Sequence, residues 1–132
     1  MFVSAIRDPG KATGTLRLIL ALLAREDVGL VGDSVLVREY ARYAEALPSP
    51  AAARLAATIL SEMRVVEPEE RHVQACRPYF ADAQTADCVH AATCHQTGAL
   101  LISSDRHFDR VARAGLVTFL RTSEAVRRFA PE

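Results

Sequence analysis

The chain has 132 residues, of which 50% are hydrophobic and 24% charged. That is enough to close one core and too little for two, so residues 1–132 are expected to form one domain, and the composition argues against global disorder. Sixteen basic side chains balance sixteen acidic ones, which excludes a uniformly basic coat for nucleic acid. Segregation survives the balance: Arg106 to Ala130 holds six arginines against Asp109 and Glu124, and Glu62 to Glu70 holds four glutamates against Arg64. The longest apolar run, Leu18 to Ala24, is far too short to span a bilayer, and the first residues lack the basic-then-apolar pattern of a signal peptide. Three cysteines, Cys76, Cys88 and Cys94, are an odd number in a chain with its own core. The expectation is reduced thiols and a cytoplasmic location.

In chain order, Thr15 to Arg25 is Leu-rich at helical spacing, after a loop punctuated by Gly10 and Gly14. Val28 to Val31 reads as a short buried strand, and Ser34 as the cap of a helix reaching about Leu47. Ser49-Pro50 opens a second helix to about Met63. Val65-Val66 is a brief strand, and Pro68 starts another helical piece. Thr85 is expected to cap a helix that stops at Gly98. Ala99 to Ser103 is the clearest strand; Ser104 would cap a short helix ending at Gly115. Leu116 to Leu120 is the last strand, and Thr122 or Ser123 would cap a terminal helix. Strands alternating with helices predict an α/β fold, a parallel sheet with helices on both faces. Ligands bind such sheets beyond the carboxyl ends of their strands.

Three carboxylates stand out against that frame. Asp87 is the sole acid in a helix of Ala, Val, Cys, Thr and His that looks buried nearly all round. Asp105 follows the Ala99–Ser103 strand, where a ligand crevice belongs, with Ser103 on the same crest. Glu39 borders the apolar stripe Leu36, Tyr40, Tyr43, Leu47. Each has a plain structural explanation. Asp87 and Asp105 lie in first helical turns, which welcome acids, and Glu39 can pair with Arg42 at i,i+3. Brought together, however, the three repel, and a hard divalent cation such as Mg²⁺ or Mn²⁺ removes the penalty.

The stretch from Ala86-Asp87-Cys88-Val89-His90 through Gly98 and Leu100-Leu101-Ile102-Ser103-Ser104-Asp105-Arg106-His107-Phe108-Asp109 resembles the closing half of PIN domains. The family pattern is an Asp, an Ala-rich helix, a Gly, an apolar strand and Ser/Thr-x-Asp-x-x-Phe. Glu39 matches the family's helix glutamate, and the resemblance covers nearly the whole chain. It implies a three-layer α/β/α fold with a short central parallel sheet, and a metal-dependent nuclease that cleaves single-stranded RNA. Many members are VapC-type toxins held by an antitoxin protein, and homodimers are usual. By carry-over, Glu39, Asp87 and Asp105 would ligate Mg²⁺ or Mn²⁺, with Ser103 supporting the site and Asp109 as a further acid; on the residues alone, His90 is expected to pack beside Asp87, behind the site or in the core. Arg7, Lys11 and Arg106 are candidates for contact with RNA phosphates.

One departure bears on activity. The family's first strand ends in an Asp, typically Asp-x-Asn, that is a central metal ligand, and this sequence has no such motif. Val3 to Ile6 and Pro9-Gly10 look like the segment just beyond that strand, so Asp8 is no substitute. Either the natural chain has residues before Met1 or the domain is degenerate; the first is favoured, because a sheet without its central strand leaves backbone groups unpaired in the core. For residues 1–132 the expectation is weak or absent hydrolysis, and a catalytically silent module binding RNA or a protein is the alternative. Cys88, His90, Cys94, His95 and Cys76 do not share a helix face in a zinc-ligand pattern, and no dinucleotide or P-loop glycine motif is present. His72 and His107 are expected at the surface.

Overall fold

A computed structural model describes residues 14–46 and 50–131. Arg7, Lys11, the Val3–Ile6 segment and the Ser49 cap lie outside them. The described elements are helices α1 (Gly14–Ala24), α2 (Ser34–Ala46), α3 (Pro50–Glu62), α4 (Glu70–Cys76), α5 (Thr85–Thr97), α6 (Asp109–Arg113) and α7 (Thr122–Phe129). The strands are β1 (Leu30–Gly32), β2 (Met63–Val65), β3 (Leu100–Ser103) and β4 (Thr118–Arg121), with 3-10 turns at Arg77–Tyr79, Asp82–Gln84 and Arg106–Phe108. The alternation yields the expected α/β fold with short parallel strands.

β1 pairs with β2 in parallel, Leu30 opposite Met63 and Gly32 opposite Val65. β3 pairs with β4 in parallel, Leu100 opposite Thr118 and Ser103 opposite Arg121. Side chains along β3 and β4 alternate between faces, as the pleat requires. Leu101 and Phe119 pack with Phe108, Val111 and Ala91 on the side of α5 and α6. Ile102 and Leu120 pack with Leu18, Ala125 and Ala130 on the side of α1 and α7. Layers of helix therefore cover both faces of this sheet. Around β1 a third apolar cluster joins Ile19, Ala56 and Ile59 to Leu30, Tyr40 and Met63. Because Leu18 and Ile19 enter different clusters, α1 bridges the two halves.

Among the described residues the two strand pairs are separate sheets. A cavity of about 550 Å³ lies between them, lined by Leu30 to Gly32 of β1, Leu100 to Ser103 of β3, and apolar side chains of α1, α2 and α3. Its wall turns polar where both strands end, at Asp33, Glu39, Asp87, His90 and Asp105.

Local details correct the sequence reading in several places. The cap of α2 is Asp33, one residue before the expected Ser34: its Oδ1 accepts from the Leu36 N–H at 2.9 Å. Asp105, not Ser104, caps the turn after β3, accepting from the His107 N–H at 2.9 Å, while the Ser104 hydroxyl donates to Thr122 Oγ1 at 2.9 Å. Helix α7 has no side-chain cap from Thr122 or Ser123; Arg121 precedes it in extended conformation. The Thr85 hydroxyl donates back to Asp82 O, so α5 grows out of a 3-10 turn without a cap of its own. Strands β1, β2 and β4 are displaced one or two residues from their expected positions.

The stop at Gly98 stands as expected. Gly98 has φ 74°, and its N–H closes on Cys94 O at 2.8 Å. A Cβ there would meet nothing within 4 Å, so a side chain costs backbone strain alone. Gly98→Ala is expected to lower stability by about 1–2 kcal/mol, read as a reduced urea midpoint with an unchanged slope.

Candidate metal centre and its buried support

Two carboxylates meet at the carboxyl end of β3. Asp87 projects from the first turn of α5, and Asp105 from the turn that follows Ser103. The Ser103 hydroxyl accepts from the Asp105 N–H at 3.0 Å, which fixes the backbone that carries this acid. His107, expected at the surface, is half-exposed but engaged with both: its Nδ1 lies 2.9 Å from Asp87 Oδ2 and 3.0 Å from Asp105 Oδ1. The 3-10 turn over Arg106–Phe108 folds the imidazole back over the acid two residues earlier. Among the described residues, Asp87, Asp105 and His107 form the one group of three potential ligand atoms lying within 4.8 Å of each other.

Glu39 lines the same cavity but does not join that tight group. It faces His90, whose Nε2 lies 3.8 Å from Glu39 Oε1. The sequence reading packed His90 beside Asp87. Asp87 acts on the His90 charge from the same helix, and the other ring nitrogen, Nδ1, bonds Asp33 Oδ2 at 2.8 Å. Asp33 is only 1% exposed, and every part of its carboxylate is engaged. Oδ1 caps α2, and Oδ2 also accepts from the Thr93 hydroxyl at 3.2 Å. Burial opposes charge on both partners, but their mutual hydrogen bond and attraction outweigh it. Asp33 is held below its ordinary carboxylate range, and His90 is pushed above its ordinary value, helped by Glu39 and Asp87.

Sequence reasoning missed Asp33 and His107. An acid directly beyond a strand, as Asp33 is beyond β1, is the same signal that singled out Asp105. Asp109 does not line the acidic cavity; it accepts from Arg121 Nη2 at 2.9 Å. Arg106 is exposed and directly follows Asp105. Cys76 and Cys88 are buried and Cys94 partly so, and burial pushes the Cys76 and Cys94 thiols up to about 11. Such protonated thiols suit neither zinc nor nucleophilic chemistry. His72 is not free at the surface either: its Nδ1 sits 2.7 Å from that of His95.

The PIN domain model matches residues 3–114, about the whole span over which the acids, β3 and the capping turn are arranged. The chain belongs to the PIN domain family. No curated protein and no solved structure matches it. PIN domains are generally nucleases that act on RNA and typically depend on divalent metal ions. The donor set of this PIN domain fits such an ion. Two carboxylates and an imidazole nitrogen within 4.8 Å of one another are donors of the kind that Mg²⁺ or Mn²⁺ takes. Among the described residues, no helix is long and apolar enough to cross a membrane.

Proposed function

We propose that this PIN domain hydrolyses phosphodiester bonds of single-stranded RNA with the help of a divalent cation, Mg²⁺ or Mn²⁺. The observation that carries the reading is the convergence of Asp87, Asp105 and the His107 nitrogen at the carboxyl end of β3. Asp87 and Asp105 would hold the ion, with Glu39 as the third acid on the same cavity wall. A bound ion would supply hydroxide near neutral pH and offset charge on the phosphate, so no covalent enzyme intermediate is required.

The chain's own groups prepare that site. Ser103 fixes the backbone of Asp105, and the cap from Asp105 to the His107 N–H fixes the turn. Arg106, exposed on the same turn, offers a planar donor fork to an RNA phosphate. The family resemblance supports a role as the toxin of a toxin–antitoxin pair, with an antitoxin protein as partner, and a homodimer as the assembled form.

The test is cleavage of a labelled single-stranded RNA by the 132-residue chain in Mn²⁺, in Mg²⁺ and in EDTA. The expected result is slow, metal-dependent cleavage that falls to background in an Asp87→Asn/Asp105→Asn variant. Cleavage that survives in EDTA or in that variant overturns the reading. Retention of RNA without any metal-dependent cleavage instead identifies a silent binding module.

A further inference from the structure

The two halves of the site stand on different parts of the fold. Glu39 belongs to α2, which follows β1. Asp105 follows β3, and Asp87 belongs to α5. Among the described residues, β1 and β3 are not hydrogen-bonded to each other, so the side chains that join α2 to α5 bear directly on where Glu39 lies relative to the acid pair.

Among the described residues, hydrogen bonds from α5 cross to the start of α2. Asp33, at the entry to α2, takes hydrogen bonds from His90 and Thr93 of α5 at 2.8 Å and 3.2 Å. Its second oxygen is tied to the Leu36 N–H, so the carboxylate cannot swing. His90 is 15% exposed and is held at Nδ1, which leaves Nε2 aimed at Glu39 Oε1, 3.8 Å away. That distance is too long for a direct hydrogen bond and within range of an ion pair or a bridging water. His90 also lies three residues after Asp87 on α5, so the two share a helix face. The buried carboxylate therefore sets the ring, and the ring faces the acid that must reach the metal.

We infer that Asp33 and His90 are positioning residues that carry Glu39 to the ion-binding site. Neither touches the ion or the RNA; they fix Glu39 relative to Asp87. This rests on the metal-centre reading above and deepens it, because it assigns function to a buried pair that the hydrolysis itself does not use. Hydrogen-bonded partners behind metal ligands commonly govern affinity by about 10–100-fold.

The experiment is calorimetric titration of the 132-residue chain with Mn²⁺, on wild type, His90→Gln, Glu39→Gln and the double variant. Gln at position 90 keeps a donor for Asp33 and offers nothing placed to face Glu39, so the buried carboxylate stays paired. Asp33→Asn, which keeps an acceptor for the α2 cap, is the second variant. Circular dichroism confirms that each is folded at the titration temperature. The expected result is Mn²⁺ binding weakened about 10–100-fold by His90→Gln, a comparable loss in Glu39→Gln, and no further loss in the double variant. A structural role alone moves the unfolding midpoint but leaves the two losses independent. Additive losses, or unchanged affinity in His90→Gln and Asp33→Asn, overturn the inference while leaving the metal centre intact. Wild type that binds no Mn²⁺, or an Asp87→Asn/Asp105→Asn variant that binds as well as wild type, overturns the metal-centre reading itself and this inference with it.

Discussion

Asp33→Ala is expected to destabilise the chain by about 3–5 kcal/mol, the usual cost of removing one partner from a buried ion pair. The size follows from what is left behind. Loss of the α2 cap accounts for about 1 kcal/mol. The remainder comes from His90 and the Thr93 hydroxyl, which keep their burial and lose their acceptor. The effect has a pH signature. His90 is raised in the fold, so its contribution is whole below its unfolded value of about 6.5 and is lost as pH climbs through its higher folded value. Asp33 is lowered, so its contribution is whole above its unfolded value of about 3.9 and is lost as pH falls through its lower folded value. The pair therefore stabilises most between about pH 4 and 6.5. Urea denaturation in EDTA should find wild type weaker at about pH 8.5 than at about pH 6, with that difference reduced in Asp33→Ala. An equal difference in both chains would show that the pair does not titrate as a unit.

The parts of this molecule that local chemistry dictates were legible in its sequence. The run Leu100-Leu101-Ile102 between Gly98 and Ser103 can be little else than a strand, and Gly98 does end α5 in the left-handed conformation. Asp87 and Asp105 were visible because each is an acid at an element boundary next to apolar sequence, and the fold brings them together. What the sequence hid is set by turns and long-range pairing. Reading Ser104 as a helix cap sends His107 outward; with Asp105 as the cap of a 3-10 turn, the same residue folds over the acids. Asp33 and His90 are 57 residues apart, and no periodicity links positions at that distance. Glu39 sits between these cases. Its place on the border of the α2 stripe was readable, but its partner proved to be His90 and not Arg42.

Mn²⁺ is expected to raise the thermal stability of the chain, and this tests the centre without relying on turnover. An ion that binds only the folded state stabilises by about 2.7 kcal/mol at a free concentration one hundred times its Kd, which for a chain of this size is a rise of roughly 10 °C in Tm. The choice of ion follows from the donors. Two carboxylate oxygens suit either Mg²⁺ or Mn²⁺, but the imidazole nitrogen of His107, held at 2.9–3.0 Å from both, is accepted more readily by Mn²⁺ than by the oxygen-seeking Mg²⁺. At equal concentrations the Mn²⁺ shift should therefore exceed the Mg²⁺ shift, and EDTA should reverse both. Asp87→Asn/Asp105→Asn keeps an oxygen acceptor for His107 at each position, so its metal-free Tm should stay near that of wild type while the Mn²⁺ shift disappears. Differential scanning calorimetry separates the outcomes: a shift that persists in the double variant places the ion elsewhere on the chain, and equal shifts from both ions remove His107 from the set of ligands.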